Sequence, residues 1–207
     1  MLFIRHQDLE AHARVSGQMF RDRARQFKVR LGWDVHVTAD GLEVDDYDAP
    51  PAVYAIASDQ GRHVGSVRLK PTTGPTMIND HFGDLAGRPL MSKGLAEVTR
   101  FCLAPDAPKG TAAALMLATN AWGAACDLEG VLAVFDFRME RIYRLLGHAP
   151  EVLGSRGEGR ARVSAGIWRR DPMAVLMLER ASGLKFHDLK SAALATAKGT
   201  PHHEPQV

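Results

Sequence analysis

The sequence predicts a single α/β domain in which helices flank a mixed central sheet. Strand-like and helix-like segments alternate along most of the chain, which is the order that α/β folds show. Residues 52–69 form a predicted antiparallel hairpin, whereas residues 96–137 have the strand–helix–strand order of a crossover between parallel strands. The sheet should therefore contain both kinds of pairing, and 207 residues suffice for one hydrophobic core.

The N-terminal half is predicted to supply four strands and one long helix. Residues 1–6 are typical of a short strand, and a helix over about 9–28 should end near Gly32, a residue suited to a helix C-terminus. The hairpin pairs residues 52–58 with 61–69 through the turn Asp59-Gln60-Gly61. A further strand covers residues 96–103.

The C-terminal half alternates helices and strands. Residues 110–128 form a helix so rich in alanine, leucine and methionine that it should be buried on several sides. Residues 131–137 are apolar on both faces, as in a central strand. A helix at 139–146, a strand at 161–169 and a helix at 173–181 follow. We assign residues 1–190 to the domain and predict a disordered tail at 191–207, where His202 and His203 are a weak metal signal.

Composition excludes several classes of protein. A net charge of +2 is too small to indicate nucleic-acid binding. No segment has the 18–20 apolar residues of a membrane span, and residues 1–6 do not begin a signal peptide. Cys102 and Cys126 have neither disulfide-framework nor metal-site spacing. We therefore expect a cytoplasmic protein with reduced thiols.

Standard cofactor and metal motifs are missing from the sequence. We find no G-x-G-x-x-G after a strand, no Walker A loop, no G-x-S-x-G elbow and no H-E-x-x-H helix. The acidic loop at 40–51 lacks the central glycine and the distal glutamate of an EF-hand. These absences predict neither a bound metal nor a cofactor.

Charged side chains occur within or at the ends of predicted strands. Strand alternation predicts that Glu97, Thr99 and Phe101 share one face and that Val98 and Arg100 take the other. A partly buried carboxylate or guanidinium needs a partner, because an unpaired buried charge is costly. The residues alone fit either a structural ion-pair network or a polar active site.

The predicted first helix and the acidic loop could contribute to the same cluster. Arg23 and Phe27 lie four residues apart and share a helix face, where the arginine could also be an ordinary surface residue. Asp45 and Asp48 would suit the positive charges of Arg23 and Arg68.

Four spaced motifs follow one another across nearly 80 residues: Arg23-x3-Phe27-x5-Trp33, Glu43-x-Asp45-x2-Asp48, Gly65-x2-Arg68-Leu69-x-Pro71-Thr72 and Glu97-x2-Arg100-Phe101. Together they resemble the acyl-homoserine lactone synthases, the LuxI-type autoinducer synthases. The resemblance implies a fold similar to the GCN5-related N-acetyltransferases. It also implies a reaction in which the α-amine of S-adenosylmethionine is acylated from acyl carrier protein, or in some branches from coenzyme A. The methionine carboxylate then closes the lactone and 5′-methylthioadenosine leaves.

The resemblance assigns roles to the charged and aromatic side chains. Glu97 is the candidate base for the amine, with Asp45 as the alternative or as its partner, and Arg100 completes the catalytic group. The arginines would pair with the carboxylates, Glu97 included, and with the substrate carboxylate. Phe82 could cover the pocket or could simply fill the core. The predicted S-adenosylmethionine site comprises Arg23, Phe27, Trp33, Asp45, Asp48, Arg68, Phe82, Arg100 and Phe101, the last through its backbone.

An acyl pocket is expected between the central strands. Its predicted lining is Val131 together with Leu103, Leu115, Met116, Ala133, Phe135 and Phe137. Synthases in this family that prefer 3-oxo chains tend to carry threonine at about the position of Phe135, so the apolar residue here favours an unsubstituted chain.

A basic surface made of Lys109, Arg138, Arg141 and Arg144 could dock acidic acyl carrier protein, or it could be ordinary helix-surface charge. No glycine-rich phosphate loop precedes the helix at Gly110, which favours a protein-borne donor. A coenzyme A-dependent N-acyltransferase and a non-catalytic ligand sensor of the same fold are the alternatives.

Overall fold

The computed structural model describes residues 1–199, which contain a seven-stranded sheet in the order β1-β2-β3-β4-β5-β7-β6. Its strands are β1 Leu2–Arg5, β2 Val53–Asp59, β3 Arg62–Pro71, β4 Leu95–Leu103, β5 Gly130–Asp136, β6 Glu151–Arg156 and β7 Val163–Arg169. Within this sheet β4 and β5 pair in parallel and the other neighbours pair antiparallel. The predicted mixed sheet and its crossover are confirmed.

Helices cover both faces of the sheet. A 3-10 segment at His6–His12 leads into α1, and α1 continues into a π-helical segment at Ala24–Arg30, so the helix predicted at 9–28 consists of three kinds of turn. The α-helices are α1 Ala13–Arg23, α2 Met77–His81, α3 Gly83–Ala86, α4 Thr111–Ala125, α5 Phe137–Leu145, α6 Pro172–Ser182 and α7 Phe186–Lys198. No helix of the described chain is long and apolar enough to cross a membrane.

The two faces of the sheet have different partners. Val131, Ala133 and Phe135 of β5 point into the main hydrophobic core beneath α4, whereas Leu132 and Val134 point to the opposite face. That opposite face also carries α1, which packs against β3 and β4. Alternation along β5 is therefore as predicted.

Local chemistry sets two of the strand boundaries. Gln60 and Gly61 both have positive φ, 49° and 74°, as the tight turn of a twisted hairpin requires. Asp136 caps α5 by accepting hydrogen bonds from the backbone N–H groups of Arg138 and Met139 at 3.0 and 3.1 Å. This cap ends β5 at Asp136, so Phe137 begins α5 and does not continue the strand as predicted.

A β-bulge interrupts β4 and changes which side chains share a face. Ser66 pairs with Cys102, but Arg68 pairs with Thr99, so two β4 residues oppose Val67 alone. Arg100 adopts φ of 54°, which accommodates the extra residue. Arg100 therefore points to the same face as Glu97 and Thr99, and Phe101 to the other. The strict alternation predicted for this strand is wrong beyond Thr99.

The parallel strands β4 and β5 pair only near their N-terminal ends. Their register joins Leu95–Glu97 to Gly130–Leu132 and stops there. Beyond Glu97 the two strands separate, which opens a gap that leads from one face of the sheet to the other.

The predicted disordered tail is wrong for its first part. Residues 186–198 form α7, and Leu189 and Ala193 bury one side of it against α4. These residues lie four apart on one helix face, so the segment gains enough buried apolar surface to fold. Residues 200–207, including His202 and His203, lie outside the described chain. The edge strand β6 was not predicted, because its residues are exposed and lack a clear apolar alternation.

Candidate active site

Arg23 joins the first helix to the acidic loop. Its side chain is buried and donates from Nη1 and Nη2 to the two carboxylate oxygens of Asp48 at 2.9 and 2.7 Å, a bidentate pair. Its Nε donates to Glu43. Arg23 thus faces inward as part of a buried ion-pair network, and the surface alternative is excluded.

Arg68 and Arg100 converge on Asp45 from two strands. Arg68 donates to both oxygens of Asp45, with Nη2 at 3.0 Å, and its Nε donates to the Thr99 hydroxyl at 3.0 Å. Arg100 Nη2 lies 2.6 Å from Asp45 Oδ2 and its Nε donates to Glu43 at 3.0 Å. The predicted pairing of Asp45 and Asp48 with arginines is confirmed by this geometry.

Glu43 links the cluster, although the sequence motifs assign it no role. It is fully buried and bridges Arg23 and Arg100. The sequence indicated its involvement only through its position in the motif that also contains Asp45 and Asp48. Asp48 also accepts a hydrogen bond from the Tyr54 hydroxyl at 2.8 Å. Although burial alone would raise it, the Arg23 and Arg68 guanidiniums hold the pKa of Asp48 well below its usual range.

Glu97 has different partners from those predicted. Its carboxylate accepts hydrogen bonds from the backbone N–H groups of Met77 and Ile78, at 3.1 and 2.5 Å, and makes no ion pair with any arginine in the described chain. The predicted Glu97–arginine pair is wrong, because the first turn of α2 supplies its donors and the arginines are occupied by other carboxylates. Burial raises the pKa of Glu97, and the two N–H groups oppose that shift. A buried carboxyl with a raised pKa is a better proton acceptor at neutral pH than an ordinary one.

The aromatic residues line two parts of this region. Phe27 stacks on Trp33, with ring centroids 5.2 Å apart and an angle of 9° between the rings, and the Arg100 guanidinium lies 5.5 Å from the Phe27 centroid. Trp33 remains 43% exposed, so one side of it is open to a ligand. Phe82 packs against the apolar cluster around Ile78 and lies under Arg156, as a core-filling residue would.

The edge of β4 at the gap is occupied by a side chain that the sequence did not reveal. Gln26, in the π-helical segment, donates to the Phe101 carbonyl at 3.0 Å and accepts from the Leu103 N–H at 3.2 Å. The next N–H group, that of Ala104, donates to the Val64 carbonyl of β3 at 3.0 Å. Because successive N–H groups of a strand point to opposite sides, the Leu103 N–H points away from β3, toward the side on which β5 would pair. Gln26 therefore satisfies backbone groups that β5 leaves free.

An apolar cavity lies across the gap, on the face that carries α4. It is lined by Val98, Phe101, Met116, Thr119, Asn120, Val131, Ala133, Tyr143, His148 and Trp168. Of the predicted pocket residues, Met116, Val131 and Ala133 are present. Leu115 is buried in the core, Leu103 packs beside the core, and Phe135 stacks edge-on against Tyr143 and Trp168 behind the cavity wall. Phe137 is absent from the lining because it begins α5.

Residues distant in sequence complete the cavity. Trp168 comes from β7 and donates from its indole N–H to the His148 carbonyl at 2.9 Å. Tyr143 comes from α5 and contacts Trp168 with ring centroids 4.9 Å apart. No periodicity around Met116 or Ala133 could have identified them, because the pairing of β5 with β7 and the packing of α5 against both strands bring them together.

The predicted basic surface is exposed. Arg138, Arg141 and Arg144 lie on α5, and Lys109 lies two residues before α4. Among the side chains of the described chain, no group of three or more histidine, cysteine or acidic residues has the arrangement of a metal site.

Comparison with known proteins agrees with this geometry. A model of the autoinducer synthase family matches residues 6–167. The chain is 36% identical to an acyl-homoserine-lactone synthase of Rhizobium etli over 169 residues, which cover 77% of this chain and 79% of that one. It is 32% identical to an acyl-homoserine-lactone synthase of Aeromonas salmonicida over 159 residues, covering 72% and 76%.

Solved structures show the same architecture. A CoA-dependent acyl-homoserine lactone synthase determined with SAM and isopentyl-CoA superposes with a TM-score of 0.79 at 25% identity, covering 88% of each chain. An acyl-CoA N-acyltransferase from Pseudomonas aeruginosa superposes with a TM-score of 0.52 at 16% identity, covering 81% of this chain and 97% of that one, which shows a shared fold. The chain belongs to the autoinducer synthase family, whose curated members named here are acyl-homoserine-lactone synthases.

Proposed function

We propose that this protein acylates the α-amine of S-adenosylmethionine from an acyl thioester and closes the product to an N-acyl-homoserine lactone. The observation that carries the proposal is the position of Glu97. It is the last β4 residue paired with β5, so it lies where the gap begins between the charged cluster on one face and the apolar cavity on the other. An amine bound in the cluster can therefore meet an acyl group that enters from the cavity.

The charged cluster suits a substrate that carries an α-ammonium and a sulfonium. Asp45 is the most exposed carboxylate of the cluster, with 18% of its side chain accessible, and it can receive the ammonium. The exposed face of Trp33 offers a π-surface to the sulfonium or the adenine.

The first chemical step requires a neutral amine. Glu97 accepts one proton from the ammonium, directly or through water, and the amine nitrogen attacks the thioester carbonyl carbon. Collapse of the tetrahedral intermediate forms the amide and breaks the carbon–sulfur bond. The second proton lost by the nitrogen passes to the leaving thiolate, which departs as the carrier thiol. We assign Glu97 as the base and Asp45 and Arg100 as the residues that hold the reacting groups.

The second step needs positioning more than proton transfer. A methionine carboxylate oxygen attacks the γ-carbon, and the bond from that carbon to the sulfonium breaks with its electrons moving to sulfur. The products are the lactone and neutral 5′-methylthioadenosine, so no further reactant is consumed. Holding the methionine portion of the substrate in a bent conformation supplies the effective concentration that ring closure requires.

We further propose acyl carrier protein as the donor, docked at Lys109, Arg138, Arg141 and Arg144. Exposed arginines on one helix attract an acidic carrier. Acyl-CoA is the second candidate, because the similar solved enzymes include CoA-dependent synthases. A cytoplasmic location is favoured by the two free cysteines, Cys102 and Cys126.

The deciding experiment combines purified protein, S-adenosylmethionine and an acyl thioester, and follows both products by mass spectrometry. Equal amounts of N-acyl-homoserine lactone and 5′-methylthioadenosine are expected. Glu97→Gln should lower the rate by about 10² to 10⁴-fold, the usual contribution of a general base. Glu10→Gln, at an exposed helix position, is the matched control. An acylated S-adenosylmethionine that never releases methylthioadenosine would contradict the proposal and would indicate a plain N-acyltransferase.

A further inference from the structure

We infer that Lys70, which occupies the unspecified position between Leu69 and Pro71 in the third sequence motif, binds the carboxylate of the amino-acid substrate. This inference rests on the proposed function and adds a ligand contact to it.

The three arginines of the cluster are already occupied. Arg23 is held by Glu43 and Asp48, Arg68 by Asp45 and Asp48, and Arg100 by Glu43 and Asp45. Each guanidinium therefore faces two carboxylates. A substrate carboxylate that displaced one of them would leave a buried acidic side chain unpaired, which is costly.

Lys70 is a cation of a different kind. It lies on β3 directly opposite Glu97 of β4, two residues beyond Arg68, so all three side chains share the face that carries the charged cluster. The residue is only 5% exposed. Within residues 1–199 no carboxylate oxygen comes within ion-pairing distance of its Nζ atom. The Nζ atom donates a hydrogen bond to the Tyr47 carbonyl at 3.4 Å and lies 5.5 Å from the Tyr47 ring centroid.

A buried ammonium with one long hydrogen bond is incompletely satisfied. An ammonium has three donors, and burying it without an anionic partner costs free energy. Burial together with the nearby Arg68 charge lowers the pKa of Lys70, and the Asp45, Glu97 and Asp48 carboxylates oppose that shift without reversing it. An incoming anion would supply the missing partner.

The charged groups of the substrate fit the same assignment. The cluster contains four carboxylates, those of Glu43, Asp45, Asp48 and Glu97, against three guanidiniums and the Lys70 ammonium. The substrate brings two positive groups and one carboxylate. Asp45 and Glu97 face the ammonium in the proposed mechanism, and Lys70, adjacent to Glu97, is then the cation available to the carboxylate. Both groups attached to the substrate α-carbon would thus be bound by neighbouring strands.

The test separates the carboxylate from the rest of the substrate. Calorimetry would measure the binding of S-adenosylmethionine and of decarboxylated S-adenosylmethionine, which lacks only that carboxylate, to the wild-type protein, to Lys70→Met and to Lys70→Arg. We expect Lys70→Met to weaken binding of S-adenosylmethionine by about tenfold to a hundredfold, the effect of losing a charge-assisted hydrogen bond. Binding of the decarboxylated ligand should change by less than about threefold, and Lys70→Arg should retain most of the difference between the two ligands.

A purely structural role predicts another pattern. Equal weakening of both ligands by Lys70→Met, or no weakening of either, would overturn the inference. Methionine has a similar length and needs no partner, so the variant should unfold at the same temperature as wild type or higher. If it does not fold, Lys70→Gln repeats the comparison. Failure of the wild-type protein to bind S-adenosylmethionine would contradict the proposed function itself, whereas normal wild-type binding with an unchanged Lys70→Met would contradict only the role of Lys70.

Discussion

Arg100 Nη2 lies 2.6 Å from Asp45 Oδ2, although regular alternation along β4 would have placed the arginine on the opposite face of the sheet. The β-bulge opposite Val67 makes this contact possible. It brings Arg100 to the face that carries Glu97 and simultaneously sends the Phe101 side chain into the apolar cavity. One extra residue in the strand thereby places one side chain in the charged cluster and the next in the apolar cavity.

The planar guanidinium of Arg100 should be needed for full activity, and a positive charge alone at this position should not suffice. Arg100 bridges Glu43 and Asp45 while lying over Phe27, a geometry that the single ammonium of lysine cannot reproduce. We expect Arg100→Lys to lower kcat/KM for S-adenosylmethionine by about tenfold to a hundredfold, corresponding to one or two charge-assisted hydrogen bonds. This change in kcat/KM can be measured from the steady-state rate of methylthioadenosine release. Arg14→Lys on the exposed side of α1 is the control, and equal activity of both variants would show that the bridge is dispensable.

Acyl length should respond to the volume of the cavity. Ala133 is a small residue of β5 at the cavity wall, between the residues Val131 and Phe135 of the same face. Ala133→Leu fills part of the space, and overpacking of this kind costs about 1–3 kcal/mol for a ligand that needs it. The products should shift toward shorter acyl chains, with the rate for the longest accepted chain falling by about tenfold or more. Mass spectrometry of lactones formed from a mixture of donors would reveal the shift.

Val134→Leu is the matched control for that experiment, because Val134 lies on the same strand but points to the opposite face. A similar change in chain length with both variants would indicate a general effect on β5 and would contradict the assignment of the cavity.

Two buried histidines should make stability depend on pH. Burial lowers the pKa of His63 and that of His148 from 6.5, despite the Asp22 carboxylate beside His63 and the more distant Asp171. Both side chains thus stay neutral in the folded protein at a pH where they are protonated in the unfolded chain. Their contribution to stability is complete above about pH 6.5 and is lost as the pH falls below that value, with a slope of up to about 1.4 kcal/mol per pH unit for each residue.

Urea denaturation at pH 7.5 and 5.5 measures this effect. The loss of unfolding free energy between the two pH values should be smaller in His63→Gln and in His148→Gln than in the wild-type protein. The raised pKa of Glu97 acts in the opposite direction, so the comparison of variants is more informative than the wild-type curve. An identical pH dependence in all three proteins would show that neither histidine is responsible.

The choice of acyl donor can be tested on α5. Reversing the charge with Arg141→Glu should reduce kcat/KM for acyl carrier protein by about tenfold at low salt, and the defect should shrink as salt rises, because screening weakens long-range attraction. The rate with acyl-CoA should be unchanged. Arg14→Glu, exposed on α1, is the control. A loss that is equal for both donors would argue against carrier docking at this helix.

The sequence alone predicted the class of fold, the hairpin, the β4–α4–β5 crossover and most members of the charged cluster. These features depend on local chemistry: turn residues at Asp59-Gln60-Gly61, hydrophobic periodicity in α4, and the resemblance carried by four short motifs. Charged residues such as Arg23 and Asp48 could be paired in advance, because a buried charge must find a partner wherever the chain allows it.

The tertiary structure decided which side chains face which half of the site. The bulge at Arg100 depends on how β4 pairs with β3, and the cap at Asp136 takes Phe137 out of the strand. The donors to Glu97 come from the first turn of α2, which sequence patterns left irregular, and the cavity draws Trp168 and His148 from strands and loops far along the chain. Pairing register and long-range packing are sums of many weak contacts between distant residues, so no local pattern contains them. Such contacts also pair each guanidinium near Lys70 with carboxylates and leave the Lys70 ammonium without an ion pair within residues 1–199.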